Sequence, residues 1–304
     1  MSARLPFNAT LVERFDLDPT LAIFRIRPDS APPPDERWFV PGQYVAVGSE
    51  DVQRAYSIAS EPAERRWLEF YVRYARDPAT DSPLTHLLWK MPVGTRLHLG
   101  AKMAGRFTLA RTRAAGDARV ALCVAAGTGL APFVSMIRDA RRRGDEALLR
   151  RAVVLHGVSH PHELAYREEL LEASERFGLG YVPTVSRATQ HPDWRGTSGR
   201  VETLLDDDRL AGLLRGPEAG GLSPERTVVY VCGFRGTIAA SLERLLARGF
   251  LPDDRRVRRL IGLPADGAAS LYYEQYDLEP VFEPDDAALV ALRARIGRAE
   301  DPGA

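Results

Sequence analysis

Cysteine and lysine are both scarce in this chain of 304 residues, with two of each. Cys123 and Cys232 are too few for a disulfide framework, which points to a cytosolic protein. They also fall short of the four thiolates of an ordinary iron–sulfur cluster. Lys90 and Lys102 are the only lysines among 41 basic residues, a bias that reads as the imprint of a GC-rich genome. Net charge is absent too, since 41 acids balance the bases, and nothing in that balance calls for a nucleic-acid partner. No apolar run approaches the roughly 20 residues of a membrane span. The first residues, Met1 to Pro19, lack the apolar core of a secretory signal. The expectation is a cytoplasmic chain that does not insert into membranes. A composition of 45% hydrophobic and 27% charged residues excludes a disordered or collagen-like chain. At about 150 residues per domain, the length suggests two domains.

Two patterns divide the chain. In the first third, short segments rich in β-branched and aromatic residues alternate with turn signals: Leu21 to Arg27, Tyr44 to Val47, Ala55 to Ala59, Trp67 to Tyr74 and Arg96 to Leu99. That spacing suggests an antiparallel β-barrel or sandwich. Pro83 to Trp89 is its one short helical candidate, and Ala31-Pro-Pro-Pro-Asp35 reads as a loop. From Val120 the pattern changes to buried strands alternating with helices. Val120 to Ala126, Val153 to Val158 and Val228 to Gly233 alternate with helices expected over Pro132–Arg143, Glu163–Phe177 and Thr237–Arg248. This is the signature of a parallel α/β sheet. The expected division is therefore a barrel over 1–113, an α/β domain over 117–276 and a C-terminal extension over 277–304. The extension holds seven acids and three arginines. It reads as a loop plus an amphipathic helix, Asp285 to Arg298, in a solvated or surface-packed appendix.

Three segments carry the chemistry. Gly127-Thr-Gly-Leu-Ala-Pro132 follows a buried strand and opens a helix. Small residues admit an anion to the backbone, and the helix start offers free N–H groups and the positive dipole end. Pro132 suits the first helical position. The segment reads as a diphosphate-binding turn, with a plain tight strand–helix turn as the alternative, and it is not the G-x-G-x-x-G fingerprint. Arg54-Ala-Tyr-Ser57 places on a strand a guanidinium able to grip a phosphate and a hydroxyl able to bond a ring nitrogen; an ordinary alternating strand is its plain reading. Cys232-Gly233 ends a parallel strand, where open α/β sheets bind ligands; a small buried thiol is the alternative.

Taken in this order, over roughly residues 10–276, the segments resemble the ferredoxin–NADP⁺ reductase family. Arg54 to Ser57 matches its R-x-Y-S flavin motif, and Pro83-Leu84-Thr85 with Leu88 is similar to its FAD-diphosphate segment. Gly127 to Pro132 matches G-T-G-x-A-P. His156 to Ser159 followed by Glu163 to Leu170 resembles its second strand and helix. Tyr230 to Gly236 matches C-G-x-x-G, and Tyr273 to Tyr276 is similar to its terminal E-x-Y. The resemblance implies an FAD-binding antiparallel barrel followed by an NADP-binding α/β domain. It implies that Arg54 clamps the FAD diphosphate, with Leu84 and Thr85 alongside. Tyr56 and Tyr276 would stack on the two flavin faces, and Ser57 would bond near flavin N5. Cys232 would stand beside the nicotinamide, Glu274 would order the pocket, and Tyr276 would gate it. Gly127, Thr128, Gly129 and Pro132 would hold the NADP diphosphate. Pro183-Thr-Val-Ser186-Arg187 matches the family's S-R pair, so Ser186 and Arg187, with Arg200, would hold a 2′-phosphate. No acid stands there to favour NAD.

Three departures stand out. Ser159 replaces an arginine frequent in bacterial members, Ala126 replaces a frequent threonine, and 28 residues follow Tyr276. The implied activity is electron transfer between NADPH and a one-electron carrier, a ferredoxin or flavodoxin, catalysed by a monomer. The carrier is a separate protein because the chain has no cluster cysteines. The reductase component of an oxygenase, a flavin or ferric reductase, and a flavin-free binding or regulatory module are the alternatives. His156, His160 and His162 are spaced suggestively, but Pro161 interrupts them and no fourth ligand is evident, so no metal is expected.

Overall fold

The computed structural model describes residues 5–294 apart from 32, 34, 35, 76–82, 115, 207, 215–221, 277, 278, 286 and 288. Most of the proline-rich loop and the extension beyond 294 therefore lie outside the described residues. Contacts gather the chain into two compact units, Met1–Ala115 with Leu130–Glu146, and Gly116–Gly129 with Ala147–Ala304.

The first unit is built on six antiparallel strands: β1 (Ala9–Asp18), β2 (Leu21–Pro28), β3 (Tyr44–Ser49), β4 (Val52–Ser57), β5 (Leu68–Arg73) and β6 (Arg96–Leu99). The helix α1 (Pro83–Lys90) precedes β6, and α2 (Leu109–Thr112) follows it. The strand order is β4-β3-β6-β1-β2-β5. Just past β4, the Ala59 N–H donates to the Glu69 carbonyl of β5 at 2.8 Å, so the two ends of the sheet meet and it curls into a barrel. Phe24, Ile26, Val45, Val47, Ile58, Phe70 and Leu97 fill its interior. Each such side chain contributes roughly 1.5–3 kcal/mol by leaving water. The alternation in the sequence anticipates every strand but β1. That strand carries register shifts at Leu11/Glu13 and Asp16/Asp18, and its outer half is largely solvated. The bulges break the period-2 pattern on which a sequence reading depends.

The second unit's sheet is entirely parallel, in the order β10-β9-β8-β7-β11-β12. In chain order its region runs β7 (Val120–Ala126), α3 (Ala131–Arg143), α4 (Glu146–Arg150), β8 (Ala152–Val158), α5 (Arg167–Phe177), β9 (Gly180–Val185), β10 (Thr197–Ser198), α6 (Asp208–Leu213), β11 (Thr227–Cys232), α7 (Arg235–Leu246), α8 (Arg255–Leu260) and β12 (Leu271–Glu274). β8 and β11 are buried along their whole length, as strands covered on both faces must be. The α5 helix starts at Arg167, not at Glu163. Tyr166 adopts a left-handed backbone, and the Glu163 carboxylate is engaged in accepting the N–H groups of Ser159 (2.8 Å) and His160 (3.1 Å).

Helix α3 follows β7 in sequence but groups by contact with the barrel unit. Its Ser135 hydroxyl donates to the Ser60 carbonyl at 2.7 Å. Its Arg138 donates to the Ala59 carbonyl and pairs with the buried Glu69 at 2.7 Å, whose other oxygen takes Arg25. Burial alone would raise the Glu69 pKa, but the two guanidiniums outweigh it and hold the carboxyl below its ordinary range. The helix closes as the sequence implies, with Arg141, Arg142 and Arg143 in the last turn and Gly144 in the left-handed cap.

The described part of the extension packs on the α/β unit. Val281, Phe282 and Leu292 are buried in its core. Glu279 and Glu283 pair with Arg235 at the start of α7, and Arg293 donates to the Leu260 carbonyl at 2.7 Å. Residues 289–294 are helical.

Candidate functional site

The sheet order locates the site before any motif does. From β7 the chain steps outward through β8, β9 and β10, then returns to the other side of β7 with β11 and β12. The winding reverses between β7 and β11, and ligands of open α/β sheets bind at the carboxyl ends of strands at such a switch point. The Gly127 turn leaves β7 there, and Cys232-Gly233 leaves β11 there.

The two strand ends approach main chain to main chain. A Cβ on Gly129 would lie 2.1 Å from the Cys232 carbonyl oxygen, and one on Gly233 would lie 2.7 Å from the Ala126 Cβ. Only glycine fits at either place. Gly127–Leu130 forms a 3-10 turn, and Pro132 takes the second helical position of α3, one later than the sequence suggests. Either position suits proline, because neither N–H has a partner within the helix.

Above this junction lie three of the predicted residues. The Tyr276 hydroxyl donates to the Thr128 carbonyl at 3.4 Å and lies 3.3 Å from Cys232 Sγ. With its own proton directed to Thr128, the phenol oxygen accepts the Cys232 S–H. Burial pushes the Cys232 thiol well above its usual pKa, and the Glu274 carboxylate, one strand over in register with it, pushes in the same direction. The sulfur is therefore a neutral S–H, a small neutral surface and not a nucleophile. Tyr276 is half exposed and Cys232 fully buried.

A second cluster sits at the carboxyl ends of β8 and β9. The Ser186 N–H donates to the Val158 carbonyl at 2.9 Å, and the Arg187 N–H donates to the Ser159 carbonyl at 3.1 Å. Both side chains are exposed. Arg187 makes no side-chain hydrogen bond or ion pair among the described residues. Arg200 lies on a separate branch, ion-paired to Glu202, with Nη2 3.7 Å from where a Cβ on Gly236 would stand.

Within the barrel unit, β4 carries Arg54 and Tyr56 on one face and Ser57 on the other. Arg54 is exposed and, among the described residues, donates to the Gln53 carbonyl at 2.9 Å. Tyr56 leans edge-on against Phe70, with ring centroids 6.4 Å apart, and Ser57 is buried. Leu84 and Thr85 are buried on α1. Leu84 fills the barrel core, and the Thr85 hydroxyl accepts the Ala75 N–H at 3.3 Å.

The histidines divide differently from their spacing. His156 is buried on β8, 3.2 Å from the Tyr181 hydroxyl, and burial pushes its pKa down to about 3. His160 and His162 stack, and His191, 31 residues from His160, joins them with Nε2 2.8 Å from His160 Nδ1. Sequence spacing gave no sign of His191, because loops following two different strands bring the rings together.

This donor set fits a phosphorylated nucleotide: a glycine-rich cradle opening α3 at the switch point, an exposed arginine at the end of β9, and a neutral thiol at the end of β11. A parallel sheet carrying such a cradle, preceded in the chain by an antiparallel barrel, defines the class as a two-domain nucleotide-binding oxidoreductase. A family model described as an oxidoreductase NAD-binding domain matches residues 123–242. A ferredoxin–NADP reductase of Sorangium cellulosum is 31% identical over 225 residues, covering 70% of this chain and 74% of the relative. The reductase component of a phenol 2-monooxygenase from a Pseudomonas strain is 31% identical over 258 residues, covering 83% of this chain and 65% of that protein. Among solved structures, a ferredoxin NADP⁺ reductase from Neisseria gonorrhoeae with bound FAD and NADP superimposes with a TM-score of 0.69 at 24% identity, over 88% of this chain and 97% of the other. The chain belongs to the ferredoxin–NADP reductase family.

Proposed function

We propose that this protein binds FAD in its barrel (1–113) and NADP(H) on its α/β domain (117–276), and moves electrons between NADPH and a one-electron protein carrier, a ferredoxin or flavodoxin. The observation that carries this reading is the Thr128–Tyr276–Cys232 contact over the glycine junction at the sheet's switch point. Flavin, when bound, accepts two electrons from a nicotinamide and releases them one at a time.

The residues divide the work by chemistry. Gly127, Thr128, Gly129 and Pro132 receive the NADP diphosphate, because main chain can approach it there and the helix start that follows favours an anion. Ser186 and Arg187 take the 2′-phosphate, by a hydroxyl and a forked guanidinium. Arg200 reaches the nucleotide only by releasing Glu202. Arg54 clamps the FAD diphosphate, Tyr56 stacks on the ring, and Ser57 holds a hydrogen bond to it. Leu84 and Thr85 set the α1 segment through their packing. Cys232 keeps its proton on Sγ and offers nicotinamide a neutral seat, and Glu274 keeps that proton in place. Tyr276 covers the seat and excludes water until nicotinamide displaces it. Reacting atoms held at about 3–3.5 Å and aligned account for much of the rate in such transfers.

The test is reduction of a purified ferredoxin or flavodoxin by NADPH. Catalytic turnover that falls at least tenfold in Cys232→Ala supports the reading, and no turnover with any carrier of either kind contradicts it. The likeness to a phenol 2-monooxygenase reductase over 83% of this chain favours a second reading, the reductase of an oxygenase. Turnover with an oxygenase component and none with free carriers would select it.

A further inference from the structure

We propose that His160, coupled to His191 and His162, is a proton-dependent determinant of 2′-phosphate recognition: it takes up a proton when the phosphate binds, and so strengthens selection of NADPH over NADH as pH falls. This inference rests on the placement of NADP(H) argued above.

The first support is position. The loop after β8 and the loop after β9 are joined by the Ser186 and Arg187 main-chain bonds to Val158 and Ser159. His160 follows Ser159 directly, so the imidazoles and Arg187 share one corner of the sheet's carboxyl edge. That edge is where an open α/β sheet receives its ligand.

The second support is the arrangement of the rings. His160 Nδ1 and His191 Nε2 are 2.8 Å apart, a hydrogen-bond distance, so one nitrogen donates and the other accepts. His162 stacks on His160 with centroids 5.4 Å apart and an interplanar angle of 6°, and its ring stands nearly perpendicular to His191. A hydrogen-bonded imidazole pair shares one extra proton well, because the second ring accepts from the first as soon as the first is charged.

The third support is the charge around them. The groups acting on the His160 ring are Glu163, His191, Arg187 and His162. Glu163 is the acid acting on the His160 ring, and one of its oxygens already accepts the N–H groups of Ser159 and His160. Neighbouring Arg195 is turned away to the Pro192 carbonyl. Burial, together with the cationic neighbours, holds the His160 pKa below its ordinary value, with Glu163 opposing. The corner thus sets Arg187 near a His160 ring whose pKa is held down, and a proton on that ring adds a second cation. A phosphate monoester, carrying close to two negative charges, reverses that balance and draws the proton in.

The experiment is calorimetry on the FAD-loaded full chain at pH 6 and pH 8. The probes are adenosine 2′,5′-bisphosphate and adenosine 5′-monophosphate, in buffers of different ionisation enthalpy. The variants are His160→Asn, His191→Gln and Arg187→Gln. Asparagine serves well before a helical turn, so His160→Asn keeps the backbone while removing the titration. His191→Gln removes the partner without touching that turn. The nucleotide's own phosphate titrates near pH 6, equally for wild type and variants, so the difference between them isolates the imidazoles. The expected result is that His160→Asn weakens bisphosphate binding about tenfold at pH 6 and less than about twofold at pH 8, as loss of one charge-assisted bond implies. Wild type takes up more protons than the variant on binding bisphosphate, and monophosphate binding is unaffected. If both histidine variants match wild type at both pH values while Arg187→Gln is weakened, the inference is overturned and the NADP placement stands. If wild type binds the two nucleotides equally at both pH values, the placement itself fails and takes the inference with it.

Discussion

Two corners of one sheet edge are built by opposite means. At the β7/β11 junction the surface is main chain: Gly129 against the Cys232 carbonyl, and Gly233 against Ala126. At the β8/β9 corner it is side chains, Arg187 and three imidazoles, on loops with exposed positions. The first corner is part of the fold, so a change there strikes stability and binding together. The second is carried by the fold, so a change there strikes binding alone. A diphosphate common to all such nucleotides suits the first kind of site, and a discriminating phosphate suits the second.

The sharpest way to break this contrast is Gly129→Ala. A methyl group 2.1 Å from a carbonyl oxygen cannot be housed without moving β11 or the turn, so the expected loss is about 3 kcal/mol or more of stability. Urea unfolding checks it; a loss under about 1 kcal/mol would show that the junction yields. His156, between the two corners on β8, tests how far burial dictates charge. Its folded pKa is pushed down to about 3 from 6.5, so below 6.5 the unfolded chain takes a proton that the folded chain refuses. Its contribution to stability is complete above pH 6.5 and declines by up to about 1.4 kcal/mol per pH unit as pH falls toward 3. His156→Gln should flatten that slope by close to one proton between pH 6 and 4.5. An unchanged slope would mean that the ring titrates normally.

Arg187→Gln probes the side-chain corner. It should raise KM for NADPH about tenfold, with kcat and the KM for NADH within about twofold, and shift stability by under about 0.5 kcal/mol. Equal effects on both nucleotides would erase the distinction between the corners. The smallest effect belongs to the extension: Glu279→Gln with Glu283→Gln removes two exposed pairs to Arg235 and should cost under about 1 kcal/mol. A larger loss would make these pairs, and not burial of Val281, Phe282 and Leu292, the anchor of the extension.

The same contrast explains what a sequence reading reaches. β7, β8 and β11 are legible because strands covered on both faces must be continuously apolar, and the Gly127 turn because only glycine tolerates the approach it makes. β1 escapes because its bulges interrupt the alternation. The start of α5 is misplaced because Glu163 serves a loop and Tyr166 turns left-handed. The attachment of α3 to the barrel unit depends on Arg138, Glu69 and Arg25, an ion cluster that no local pattern announces. His191 is invisible for the same reason: two loops bring it to His160, and spacing along the chain carries no trace of the meeting.

The central proposal is that this chain, loaded with FAD, takes electrons from NADPH, with Cys232 and Tyr276 seating the nicotinamide. Its most direct test is anaerobic mixing of the FAD-reconstituted chain with NADPH, followed by absorbance near roughly 450 nm. The account predicts rapid bleaching with NADPH, bleaching at least about tenfold slower with NADH, and a marked slowing in Cys232→Ala. A chain that takes up no FAD, or whose bound flavin keeps its colour in excess NADPH, would contradict it.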